Sequence, residues 1–199
     1  MADPRLVAEL EKGVQNWNWW REERFNFQAD FSGIEFHGKD LRGVSFHNAN
    51  LTGADLSGCD LRYADLVSSD LTGARFDGAR MAAADLQEAA AHKSSFVGTD
   101  LRGAKLKKTN FTDAILARAD LRATELVRAN LTRADLSGAH LGDALTREAR
   151  FTDAILAGAD LQGVDLGLTI GISDEQKAAA KGVGERGSGW LTQLIMRFR

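Results

Sequence analysis

From Phe31 to Leu166 every fifth residue is Phe, Leu or Met, through 28 successive positions and without an insertion; only Ala91 and Thr146 depart. A five-residue period fits neither regular element. On a helix, at about 100° per residue, each step of five drifts by about 140°, so the apolar positions circle the surface. A long strand requires a period of two. The finer pattern resolves the conflict. Two residues before each large apolar residue stands a small one (Ala49, Ala54, Cys59, Ala64, Ser69, Ala74), and between them a polar one, typically Asp55, Asp60, Asp65, Asp70 or Asn130. Small-in, polar-out, large-in is a three-residue piece of strand. The two remaining residues often end in glycine (Gly33, Gly38, Gly43, Gly53, Gly58), which suits a corner that needs positive φ. Strand and corner alternate, so the chain coils around its own apolar residues, and the fold class is an all-β solenoid.

The unit Ala54-Asp55-Leu56-Ser57-Gly58, repeated as Ala134-Asp135-Leu136-Ser137-Gly138, resembles the motif of pentapeptide repeat proteins, and the resemblance covers about residues 27–168. It implies a right-handed quadrilateral β-helix with four pentapeptides per coil, which makes about seven coils here. At a neighbour spacing of about 4.8 Å the rod is on the order of 34 Å long.

Solenoid ends must be closed. Residues 1–26 are expected to form an N-terminal helical cap, with a helix over 4–20 whose face carries Leu6, Leu10, Val14 and Trp17. Trp17, Trp19 and Trp20 then meet Phe25 and Phe27 as a plug over the first coil. The repeat ends after Leu166. Residues 169–199 are read as a C-terminal helical cap and tail: Ser173, with Glu175 and Gln176, caps a short helix running to about Gly182. A glycine-rich break leads to Trp190, Leu191, Leu194, Ile195 and Phe198, an apolar helical stripe. That stripe either packs on the last coil, forms a homodimer contact or touches a membrane surface.

Composition narrows the setting. A net charge of −3 and pI near 5.8 argue against direct nucleic-acid binding. No apolar run approaches a membrane span, and the N-terminus is too polar for a secretory signal, so a cytoplasmic protein is expected. The lone Cys59 falls at a small inward position and reads as core filler. Apparent chemistry is mostly a by-product of repetition. Asn50-Leu51-Thr52, Asn110-Phe111-Thr112 and Asn130-Leu131-Thr132 match a glycosylation sequon only because the repeat recurs. His37, His47, His92 and His140 are never paired at metal-ligand spacing. No catalytic, cofactor or metal residues are assigned, and no enzyme is expected.

Positions taken modulo 20 describe the surface. One face stacks Ser32, Thr52, Thr72, Thr112, Thr132 and Thr152, interrupted by His92. Another repeats Asp40/Arg42, Asp60/Arg62, Asp100/Arg102 and Asp120/Arg122, two opposite columns that neutralise each other. A third carries Lys105, Lys107, Lys108, Arg128 and Arg147 in its later coils, the candidate partner-binding cluster for an acidic surface. The leading reading is a non-enzymatic binding scaffold for a protein partner. Family resemblance supplies the alternative, a modulator of DNA gyrase that imitates duplex DNA. Residues 29–168, however, hold 20 acids against 16 bases, which is no polyanion.

Overall fold

The computed structural model describes residues 1–24 and 27–183; the stripe of Trp190, Leu191, Leu194, Ile195 and Phe198 lies outside the described residues. Numbering each pentapeptide from its small residue (Ala54 as position 1, Gly58 as position 5), one rule accounts for most backbone N–H groups of the repeat. The position 3 amide bonds to the next coil (Leu56 N to Arg75 O, 2.8 Å), as does position 5 (Gly58 N to Asp77 O, 2.9 Å). Position 2 bonds to the previous coil (Asp55 N to Ile34 O, 2.7 Å). Position 1 of the following unit closes the turn (Cys59 N to Leu56 O, 3.1 Å). The position 4 amide is left over, and the position 2 carboxylate accepts it (Ser57 N to Asp55 Oδ1, 3.0 Å). Asp or Asn is thus preferred at position 2 because the backbone needs an acceptor there.

Each side contributes one parallel bridge to the residue twenty positions on, as in Asp30–Asn50, Glu35–Asp55, Asp40–Asp60 and Ser45–Asp65. Four bridged sides per twenty residues make one coil. Each side is bridged through a single residue, so the sides are shorter than the three-residue strand pieces read from sequence. The turns are type II in character, with positive φ at position 5. Glycine fills many of them, but among the described residues fifteen non-glycine residues also hold positive φ, including Tyr63, Ala83, Arg118 and Ala123.

Large residues at position 3 and small ones at position 1 fill a single core. Phe96 is fully buried, stacked on Phe76 at 4.7 Å and edge-on to Phe111 at 5.6 Å. Phe111 stands one coil above Ala91, so aromatic rings border the space that the short Ala91 vacates. Hydroxyls at position 1 are satisfied by carbonyls: Ser69 donates to Leu66 O at 2.6 Å and Thr99 to Phe76 O at 2.7 Å. Thr146, the other departure from the large-residue series, donates to Asp165 O at 2.9 Å. Cys59 is buried, and burial raises its thiol pKa, as befits core filler.

The N-terminal segment is two helices where one was expected: α1 (Pro4–Glu11) and α2 (Val14–Glu22). Gly13 at φ 114° lies outside helical space and breaks them. Asp3 caps α1 through the Arg5 amide, and Pro4 occupies the first turn, where no N–H is needed. Ala2 and Asp3 donate to Ser32 O and Asp30 O, covering the first open edge. Fully buried Trp17 lies edge-on to Phe31 at 5.3 Å and donates to Ser45 O at 2.7 Å. Arg21 is buried among carbonyls, including that of His47, and desolvation lowers its pKa.

At the other end the apolar series stops, but pairing continues past Leu166, through Arg150–Ile170 and Asp160–Lys181. The helix there, α3 (Asp174–Ala179), is shorter than the sequence suggested and begins with a capping box of Ser173 and Gln176. The Gln176 side chain also donates to Phe151 O and Ala154 O, fastening α3 to the preceding coil. Among the described residues no helix is long and apolar enough to cross a membrane.

Two stability outcomes follow. Phe96→Ala removes a fully packed ring and is expected to cost about 3–5 kcal/mol, read by chemical denaturation. Ala123→Gly relieves a left-handed alanine and is expected to stabilise by about 0.5–1 kcal/mol, whereas Gly73→Ala should destabilise by about 1 kcal/mol. A Cβ on Gly73 meets nothing within 4 Å, so that effect isolates the backbone.

Candidate interaction surface

Exposed side chains fall into longitudinal columns, so a residue meets its own position one coil above and below. Charged columns pair along the rod at twenty-residue separation. Lys105 bonds Asp85 at 3.2 Å, Lys108 bonds Glu88 at 2.7 Å, and Arg128 bonds Glu148 at 2.7 Å. Arg133 grips Asp113 through two nitrogens at 2.6 and 2.8 Å. The expected basic cluster is therefore brought onto one side of the rod but largely neutralised. Arg147 also reaches Glu148, at 3.4 Å, and only Lys107 of the five has no ion pair among the described residues.

The Asp/Arg face pairs within each coil. Arg42, Arg62, Arg102 and Arg122 each fork onto the aspartate two residues earlier; Arg62 meets Asp60 at 2.8 and 2.6 Å. The same aspartates accept the arginines' backbone amides, as in Arg62 N to Asp60 Oδ1 at 3.3 Å. Hydrogen bonding to the guanidinium holds Asp40 down to about 2, and the same cause lowers Asp60, Asp100 and Asp120. These acids act as acceptors in the scaffold. A carboxylate recruited for proton transfer would need its pKa moved towards neutrality.

The threonine face carries an open groove of about 590 Å³. Its floor is Thr112, Asn130 and Thr132. Arg128 paired to Glu148 forms one edge, Arg133 the other, and Arg150 and Ile170 close the upper end. The floor is internally bonded: Thr132 donates to Asn130 Oδ1 at 2.6 Å, and Asn130 donates to Thr112 Oγ1 at 2.9 Å. Sequence reading placed Arg128 in a cluster but missed Arg133 and Arg150. The signal was present at position 2 of this face, where Asp30, Asn50, Asp70, Asn110 and Asn130 give way to Arg150. Among the described residues no group of three His, Cys, Asp or Glu side chains is arranged to hold a metal ion.

Comparison with known proteins agrees with this geometry. The pentapeptide repeats family matches in eight copies, over residues 27–62, 59–96, 94–133 and 129–167. No curated protein sequence matches the chain. Among solved structures, QnrB1, a plasmid-mediated fluoroquinolone resistance protein, is 21% identical over 85% of this chain and 92% of its own, with a TM-score of 0.52. HetL, a pentapeptide repeat protein involved in heterocyst differentiation regulation from the cyanobacterium Nostoc, is 30% identical over 71% of each chain, with a TM-score of 0.41. A pentapeptide repeat protein from the Arabidopsis thaliana thylakoid lumen is 27% identical over 57% of this chain and 74% of its own, at 0.49. The chain belongs to the pentapeptide repeat family.

The aspartates' pKa values fix a pH dependence. A carboxylate whose folded pKa lies below its unfolded value near 3.9 contributes stability above that value and loses it as pH falls through the folded pKa. With Asp40 at about 2 and Asp60, Asp100 and Asp120 also lowered, the melting temperature is expected to hold from neutral pH to about 5 and drop between about 4 and 2. Asp100→Asn should make that drop smaller in a calorimetric pH series.

Proposed function

We propose that this pentapeptide repeat protein is a non-enzymatic cytoplasmic binding scaffold. In this reading residues 27–168 form a right-handed quadrilateral β-helix of about seven coils, closed by helical segments at 1–26 and 169–199, and its flat faces receive a protein partner. The observation that carries the reading is the commitment of the repeat's charged side chains. Aspartates such as Asp55, Asp60 and Asp120 bond the backbone of their own turns, and arginines such as Arg62 and Arg122 bond aspartates. Carboxylates so occupied are poor acids and bases, whereas rigid columns at fixed spacing are good contact surfaces. Groups without an ion pair among the described residues, such as Lys107, Arg118 and Arg150, are the ones available to a partner.

The second reading, a DNA-like modulator of gyrase, draws on the fold shared with QnrB1. It requires a continuous acidic stripe, and the guanidiniums at Arg42, Arg62, Arg102 and Arg122 interrupt the main aspartate column. The test is affinity capture from the native cell followed by a gyrase supercoiling assay. A specific protein retained by the folded rod, with supercoiling unchanged at stoichiometric excess, is the expected result. Inhibition of supercoiling, or rescue of gyrase from a fluoroquinolone, would replace the scaffold reading with the second one.

A further inference from the structure

Arginine occurs at position 2 three times, twice on one coil and once on a later one. Arg75 reaches down one coil to Asp55 at 3.5 Å, and Arg80 reaches down to Asp60 at 3.5 Å. Arg150 has Asn130 one coil below it and Ile170 one coil above. Neither can neutralise it, and its guanidinium has no hydrogen bond or ion pair among the described residues. The same substitution removes an acceptor. In five of the six earlier coils of this face, Ala90 being the exception, the position 2 side chain accepts the position 4 amide: Ser32 N to Asp30, Thr52 N to Asn50, Thr72 N to Asp70, Thr112 N to Asn110 and Thr132 N to Asn130. Arginine has no acceptor to offer, so the Thr152 amide has no partner among the described residues. A third bond is lost as well. Asn130 donates to Thr112 Oγ1 from one coil above, but Arg150 supplies no such donor to Thr132 Oγ1.

We propose that Arg150 and the upper end of the threonine groove form a binding site for a carboxylate side chain of an acidic, extended peptide segment in a protein partner. The proposal rests on the scaffold reading and names the chemistry of its partner. The ligand's carboxylate takes the place of the side-chain oxygen that position 2 supplies on earlier coils. It accepts from the Arg150 guanidinium, whose planar fork suits two oxygens, and from the Thr152 N–H. Thr132 Oγ1, which donates to Asn130 and receives no hydrogen bond among the described residues, can accept a peptide N–H from the same segment.

Charge favours one engaged carboxylate of a short, flexible acidic peptide over the continuous phosphate row of a nucleic acid. Arg128 and Arg133 lend positive potential to the edges but are held by Glu148 and Asp113, and those carboxylates repel a continuous row of phosphates. The groove's openness favours a segment that runs along the face over a small molecule, which would leave most of its surface in water. Ile170, 43% exposed at the end of the groove, offers an apolar contact to the residue beside the acid.

The decisive experiment is an NMR titration of the full chain with N-acetyl pentaglutamate, using pentaglutamine and pentalysine as controls. The expected result is saturable shifts of the Arg150 side-chain Nε–H and the Thr132 and Thr152 amides, with little change at Arg42 or Arg102. Pentaglutamine should bind at least tenfold more weakly. Arg150→Asn is the critical variant, because asparagine is the residue this column carries at Asn50, Asn110 and Asn130. It should keep the fold and melting temperature while weakening pentaglutamate at least tenfold. Shifts spread over all exposed arginines, equal binding of pentaglutamine, absence of saturable shifts, or undiminished binding by a folded Arg150→Asn protein would each overturn the proposal. Retention of a specific partner by Arg150→Asn in the capture assay would overturn the groove assignment while leaving the scaffold reading intact.

Discussion

The twenty-residue register of the backbone ladder is the constraint on which everything else depends. Position 3 and position 5 amides donate forward and position 2 amides donate backward, so each coil is fixed to its neighbours at every side, as at Leu56, Gly58 and Asp55. One inserted residue would rotate all later side chains by one position, turning core residues outward, much as a register slip does in a sheet. Once the register is kept, chemistry is columnar. Phe96 stacks on Phe76, Lys105 finds Asp85, and Arg133 finds Asp113, each twenty residues away. Individual exposed ion pairs of this kind are worth little, but a column of like charges would be unfavourable at every step. Alternating acids and bases along the rod relieve that repulsion.

The repeated aspartate has a local origin as well. A five-residue unit leaves one amide per side without a backbone partner on either neighbouring coil, and an Asp or Asn two residues earlier accepts it in many of the units, as at Asp55 and Asn130. Asparagine does this as well as aspartate, which explains the exchange of Asp70 for Asn110 or Asn130 on one column. The acidic count of the chain is thus in large part a consequence of turn geometry. Surface charge has to be read after that requirement is subtracted, and after arginines such as Arg62 and Arg122 are assigned to the aspartates they grip.

The core was legible in the sequence because it rests on periodicity, whereas the four-sided coil was implied only by the family resemblance: the large residues from Phe31 to Leu161 and the small ones beside them are buried, with only Ala91 and Thr146 needing local repair. The corners were half legible. Gly33 or Gly58 announces positive φ, but Tyr63, Arg118 and Ala123 adopt it without any intrinsic preference, because hydrogen bonds to two neighbouring coils impose it. The ends were less legible still. A helical stripe from Leu6 to Trp17 reads continuously, yet Gly13 takes a non-helical φ so that α2 can lay Trp17 and Arg21 across the first coil. Pairing beyond Leu166 had no apolar signal at all; it comes from backbone bonds at Ile170 and Lys181. The ion pairing of the candidate cluster was hidden for a related reason. Residues adjacent in the modulo-20 table were read by sign along one face, whereas the register neutralised them from one coil above or below.

In a periodic scaffold, recognition has to come from departures from the period. A face on which every coil satisfies its neighbours presents the same solvated surface along its whole length and offers a partner no preferred position. Ala90 already lacks the acceptor on this column, but Arg150 combines three departures: it adds a positive charge opposite a neutral asparagine, withdraws the acceptor for the Thr152 amide, and omits the donor for Thr132 Oγ1. None of these disturbs the core, since the backbone bonds from Arg150 N to Ala129 O and from Leu131 N to Arg150 O remain at 2.9 and 2.8 Å. The ladder therefore carries the structural load regardless of the side chain. That leaves position 2 on this coil free to differ, and the unsatisfied groups it exposes have a fixed direction and spacing set by the rigid coils beneath.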